Sequence, residues 1–206
     1  MSLIEDLTAD RLLAIIRGKD VEASISTAIA LVEEGVRSME ISLSSADALT
    51  VLSEVSSTLG DRVRLGAGTV LTPADVDAAL DNGATYIVTP AIAPSITTAV
   101  DRGVPVLCGA LTPTEVLTAL DAGADAVKLF PISSMGPRYV RDLRAPFPST
   151  PFIPVGGVGI EEAEGFLADG ALAVGVASPL LGDAANGGDL NALRERARGF
   201  LNAVRR

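Results

Sequence analysis

The 206-residue sequence predicts an α/β protein of one domain, residues 1–206, folded as a (β/α)8 TIM barrel behind a short N-terminal helix. Three observations point there. The first is a phrase that recurs along the chain: a helical pattern, a glycine turn, then an apolar strand. It stands at Glu33-Glu34-Gly35-Val36, Asp81-Asn82-Gly83-Ala84, Asp101-Arg102-Gly103-Val104, Asp121-Ala122-Gly123-Ala124 and Ala168-Asp169-Gly170-Ala171. Glycine there is the left-handed stop just past a helix, and the spacing, about 20 residues or a small multiple, is that of one αβ unit with short loops. The second is the number of strands, eight, alternating with helices. The third is composition: 48% hydrophobic residues, only 3% aromatic and 20 glycines suit tightly layered helices and sheet.

The strands are expected near 12–17, 38–43, 63–69, 85–89, 104–109, 126–130, 152–156 and 172–176. Helices are expected near 21–34, 46–59, 73–82, 94–102, 113–122, 137–145 and 160–169, with a short one before the first strand and a longer one near 189–204. Pro73 and Pro113 follow Thr72 and Thr112. That is an N-cap followed by proline at the first helical position. An open doubly wound sheet is the alternative. No Gly-x-Gly-x-x-Gly follows the first strand, so its dinucleotide-binding version has no support.

Composition also excludes functions. The net charge is −10, which argues against general nucleic-acid binding. A small anionic substrate is still open, because a few local donors can hold it. Histidine is absent, which removes the commonest general base and metal ligand at once. Cys108 is the only cysteine, so no disulfide framework or cysteine zinc cluster is expected, and it reads as a small core residue. The N-terminus has early acids and no basic n-region, so no signal peptide is expected. No apolar run approaches the ~20 residues that span a membrane. A cytoplasmic protein is expected.

In this fold chemistry belongs at the C-terminal ends of the strands. Lys128 sits there, inside the apolar run Ala126-Val127-Lys128-Leu129-Phe130. An amine so placed loses hydration, which disfavours its charged form. A neutral amine attacks carbonyls, so a Schiff base is its natural use. The plainer use is a lysine that snorkels to solvent or pairs with a carboxylate. In Ser38-Met39-Glu40-Ile41-Ser42-Leu43 the apolar residues share one face. That face should meet the helices, which aims Glu40 into the barrel toward Lys128. Such a carboxylate can shuttle protons, or the two can form a structural ion pair.

Gly66-Ala67-Gly68-Thr69-Val70 ends the third strand, where glycines permit close approach and Thr69 offers a hydroxyl. Thr89-Pro90 ends the fourth. Pro154-Val155-Gly156-Gly157-Val158-Gly159 and Gly175-Val176-Ala177-Ser178 end the seventh and eighth, the two loops between which barrels often hold a phosphate. Arg17 ends the first strand and could pair with a carboxylate. Arg138, Arg141 and Arg144 read as mostly surface residues.

Together these residues resemble the class I 2-keto-3-deoxy-6-phosphogluconate aldolase family, including its 6-phosphogalactonate-cleaving branch. The resemblance covers about residues 10–182. It rests on Leu13-Ala14-Ile15-Ile16-Arg17-Gly18, Met39-Glu40-Ile41, Gly66-Ala67-Gly68-Thr69-Val70-Leu71, Val88-Thr89-Pro90, Val127-Lys128-Leu129-Phe130-Pro131 and Val155-Gly156-Gly157-Val158. It implies a homotrimer of barrels with no metal or cofactor. It also implies a reaction that cleaves a phosphorylated keto sugar acid to pyruvate and glyceraldehyde 3-phosphate. By resemblance Lys128 forms the Schiff base and Glu40 moves protons. Arg17, Thr69, Pro90 and Phe130 line the pyruvate half; Gly156, Gly157, Val158, Gly175 and Ser178 hold the phosphate.

The chain departs from the pattern in three places. Ser44 stands where the phosphogluconate branch has an arginine, Ala91 replaces a frequent glycine, and Ala177 stands where glycine is common. The first leaves the C4 epimer open, and cleavage of 4-hydroxy-2-oxoglutarate stays open beside it. An isomerase or synthase of phosphorylated metabolites on the same barrel is the competing enzyme reading. A phosphosugar-binding sensor is the non-enzyme one.

Overall fold

The computed structural model describes residues 2–205. Eight parallel strands run β1 Leu12–Ile16, β2 Ser38–Ser42, β3 Arg64–Gly68, β4 Ile87–Val88, β5 Val106–Ala110, β6 Ala126–Leu129, β7 Phe152–Pro154 and β8 Val174–Val176. They pair in the order β7-β6-β5-β4-β3-β2-β1-β8. A bridge between Val155 and Gly175 joins β7 to β8 and closes the ring. The predicted (β/α)8 barrel is the observed one.

The helices are α1 Leu3–Asp10, α2 Val21–Glu33, α3 Ala48–Leu59, α4 Pro73–Asp81, α5 Ser95–Asp101, α6 Pro113–Asp121, α7 Arg138–Arg144, α8 Ile160–Ala168, α9 Ser178–Leu181 and α10 Leu190–Val204. Thr72 and Thr112 cap α4 and α6 as expected. Each accepts from the backbone N–H three residues on, in a box completed by Asp75 and Glu115. The five repeated glycines all have positive φ, from 69° at Gly103 to 104° at Gly35. The repeat is therefore a repeated helix stop.

Two apolar layers follow from strand parity. Met39 and Ile41 pack outward among helix residues such as Leu31, Val51 and Leu52. Leu13, Ile15, Tyr86, Val88, Leu107 and Ile153 fill the barrel itself. Helix α1 plugs its N-terminal end: Leu3 and Leu7 join that inner layer. The ion pair Arg64–Asp6 ties the plug to β3.

The β4 region differs from expectation, with a regular strand of two residues where five were predicted. The ladder nonetheless extends past it, since Thr85 N–H donates to Leu65 O and Thr89 N–H to Leu107 O. Short α9 and a 3₁₀ turn at 184–186 are additions that the sequence pattern did not mark. Both follow β8.

Candidate active site

A cavity of about 510 Å³ opens at the C-terminal end of the barrel. Ile15, Arg17, Thr69, Pro90, Lys128 and Phe130 line it. Gly156, Gly157, Ala177, Ser178, Gly182 and Asn186 line it too. A groove of about 480 Å³ at the opposite, N-terminal ends of β2 and β3 is lined by charged groups such as Asp10, Arg37, Arg62 and Arg64. No lysine borders it.

Lys128 is 7% exposed and Glu40 1%. Strands β2 and β6 stand four places apart in the ring, so the two side chains reach each other across the barrel. Lys128 Nζ donates to Glu40 Oε1 at 3.3 Å, and lies 5.7 Å from the centre of the Phe130 ring. Glu40 is not itself part of the cavity wall; it stands behind the lysine. Its other oxygen, Oε2, is buried and has no hydrogen-bond partner among the described residues. Leaving a carboxylate oxygen so costs free energy, and a substrate hydroxyl or a water would satisfy it.

The glycines of β3 have a reason that the sequence did not reveal. A Cβ on Gly68 would lie 2.5 Å from Glu40 Oε1, and one on Gly66 would lie 2.3 Å from the Tyr86 ring. Their missing side chains make room for two protein groups rather than for a ligand. Tyr86 is fully buried, donates to Met39 O at 2.7 Å and fills the barrel interior. Burial pushes its phenol well above its ordinary pKa, and nearby Glu40 adds to this. Tyr86 thus stays a neutral donor.

At the rim, a hydroxyl chain links three strand ends. Ser42 Oγ is 2.9 Å from both Ser44 Oγ and Thr69 Oγ1. Arg17 Nε donates to Ser42 Oγ at 3.4 Å. Thr69 has φ +62°, a conformation that a β-branched residue adopts at a cost and that gathers at functional sites.

Pro90 is held from behind. A Cβ on Gly109 would stand 2.2 Å from the Pro90 carbonyl carbon and 2.3 Å from its oxygen. Backbone cannot rotate away as a side chain can. Gly109→Ala should therefore cost roughly 1–3 kcal/mol, or about 2–4 °C of unfolding temperature per kcal/mol. Calorimetry reads this, and an unchanged transition would show that Pro90 yields freely.

Two residues expected at the phosphate lie elsewhere. The Val158 side chain is 1% exposed and belongs to the helix-side core. Gly175 is buried in β8, where a Cβ would meet Val155 Cγ2 at 2.5 Å. Packing against apolar neighbours accounts for the burial of both, and neither borders the cavity. Gly156 and Gly157, with φ of 113° and 70°, do line the cavity, as does Ser178. Of the arginines after β6, Arg138 is exposed beside Asp142. Arg144 instead donates to Gly170 O at 2.6 Å, past the end of α8. Asn186 was missed, because its place depends on a turn with no sequence signature.

A family profile described as KDPG and KHG aldolase matches residues 3–195. The chain belongs to that family. It is 36% identical over 196 residues to the 2-dehydro-3-deoxy-6-phosphogalactonate aldolase of Escherichia coli K12, covering 94% of each. Identity is 37% over 152 residues with the 2-dehydro-3-deoxy-phosphogluconate aldolase of Pseudomonas aeruginosa PAO1, covering 72% of this chain and 69% of that protein. A solved structure described as native KDPGal superposes with a TM-score of 0.88 at 36% identity, over 94% of each chain. The family resemblance stated from the motifs is thus the family itself.

Proposed function

We propose that this aldolase-family protein is a class I lyase that cleaves 2-keto-3-deoxy-6-phosphogluconate, or its galactonate epimer, to pyruvate and glyceraldehyde 3-phosphate. The observation that carries the reading is the buried Lys128–Glu40 contact beside the cavity. Amine and carboxylate are 3.3 Å apart, within reach of direct proton transfer.

The steps follow from that placement. Lys128 passes a proton to Glu40, and its lone pair attacks the substrate's C2 carbonyl. The carbinolamine hydroxyl takes that proton back from Glu40 and leaves as water, giving an iminium. The C3–C4 bond then breaks, its electrons flow into the iminium, and the C4 hydroxyl proton goes to Glu40 Oε2 or a water on it. C4 leaves as the aldehyde. The enamine takes a proton at C3, and water releases pyruvate from Lys128. The cavity supplies position and partial dryness.

The two ends of the substrate need separate anchors in a chain of net charge −10. Ser44 brings no charge to the carboxylate end. Arg17 leans toward β2 through Ser42, on the side of Thr69, so we assign it the carboxylate. The phosphate falls to Gly156, Gly157 and Ser178. A charged hydrogen bond is worth roughly 1.5–3 kcal/mol, so Arg17→Ala should lower kcat/KM by roughly 10- to 150-fold. Pyruvate trapping should weaken, and inhibition by inorganic phosphate should hardly change. The reverse pattern would move Arg17 to the phosphate.

The family's homotrimer belongs to the same reading. Leu71, Ile92 and Met135, on loops after β3, β4 and β6, are exposed aliphatics that an interface would cover. Light scattering should give three times 21.0 kDa. A cytoplasmic site is proposed too; among the described residues no helix is long and apolar enough to cross a membrane. Assay of both phosphorylated epimers tests the activity. Cleavage of neither would refute it.

A further inference from the structure

We propose that Asn186 is a specificity residue for the phosphorylated end of the substrate, aimed by a strap that the chain folds across the barrel rim. This rests on the aldolase reading above and adds to it a residue that no motif marks.

The 3₁₀ turn Ala184–Asn186 follows β8 and α9 and turns back over the start of α2. Ala184 and Ala185 are buried, 1% and 2% exposed. Ser24, itself buried, donates its hydroxyl to Asp20 O at 2.7 Å and approaches Ala185 O at 3.4 Å. Gly18 completes the fit: a Cβ there would lie 2.3 Å from both Ala185 O and Ser24 Oγ. Only glycine lets the strap seat this closely. The turn is therefore fixed by packing on both sides.

Asn186, an exposed residue at the end of that fixed turn, borders the cavity. Its side-chain oxygen accepts the Lys19 backbone N–H at 2.8 Å. Only the oxygen can accept, so this contact also decides which way the amide faces. Among the described residues no acceptor binds Nδ2. The amide thus spends its acceptor on the protein and keeps two donor hydrogens for whatever fills the cavity. Ser178 and Gly182, from the same segment after β8, border the cavity as well. Ser178 brings a hydroxyl. Lys128, a cation of the same wall, is engaged by Glu40 behind it. A group that needs donors and offers only acceptors fits here, which is the chemistry of a phosphoryl oxygen.

Asn186→Asp isolates the claim. It keeps an oxygen for Lys19 N–H and replaces the Nδ2 donor by an anionic oxygen. KM for the phosphorylated substrate and the inhibition constant of inorganic phosphate should both rise, by roughly 10-fold or more. Asn186→Ala deletes the donor together with the acceptor of Lys19 N–H, and should raise them roughly 3-fold or more, at least the usual worth of one neutral hydrogen bond. In both variants kcat and pyruvate trapping on Lys128 should stay within about twofold. Unchanged phosphate inhibition in Asn186→Asp, or a loss confined to kcat, overturns the assignment. Calorimetric binding of inorganic phosphate separates this claim from the activity. Wild-type protein that binds phosphate, more weakly as Asn186→Asp, but cleaves no sugar acid would keep Asn186 and sink the aldolase reading. Wild-type protein that cleaves the substrate but does not bind phosphate would sink the Asn186 assignment alone.

Discussion

Lys128→Ala should lose aldol cleavage by roughly 10⁴–10⁶-fold, the scale on which removing a nucleophile acts. No other lysine borders the cavity, so nothing in the wall can replace its amine. The substitution also has a structural consequence. Glu40 is 1% exposed and would be left without its cation. Breaking a buried pair this way costs about 3–5 kcal/mol. Activity and folding must therefore be read together. Lys128→Arg separates them, because it keeps a cation for Glu40 but has no amine that can form an iminium. It should be as inactive as the alanine variant, with more of the stability retained. Cleavage surviving in a folded Lys128→Arg protein would remove Lys128 from the chemistry.

Glu40→Gln carries the second large effect. The shape is kept, and with it most substrate binding. Proton transfer to and from Nζ and the C4 hydroxyl is lost. Turnover should fall by roughly 10²–10⁴-fold, the usual worth of acid/base catalysis, while KM changes little. Exchange of the pyruvate methyl protons with solvent, which needs enamine formation, should slow alongside. Near-normal turnover with intact exchange would make Glu40 a structural partner of Lys128. The room for this carboxylate is made by Gly68, so Gly68→Ala should resemble Glu40→Gln in kinetics more than an ordinary surface change would.

The barrel was legible because its signals are local. A glycine past a helix and a threonine before a proline act over a few residues, and both appear in the structure where the sequence put them. Lys128 and Glu40 were legible as facing partners for the same reason. The parity of each strand fixes its inward side once one face is apolar. Relations between distant segments were not legible. Gly66 read only as a place of close approach, and the group that fills it is the Tyr86 ring, from the β4 segment beside β3. Val158 and Gly175 share motifs with the true cavity residues but turn into packing. The Arg17–Ser42–Thr69 chain needs three strand ends at one height. The Asn186 strap needs a turn that returns to the first strand's loop, and no periodicity encodes that.

The proposed reaction turns on a covalent intermediate on one buried amine. Pyruvate and borohydride, followed by mass mapping of the peptides, test it most directly. The expected result is a single reduced adduct, carried by Lys128, with activity lost in proportion to labelling. An adduct on Lys19, the other lysine of the chain, or no adduct under conditions of active turnover, would contradict it.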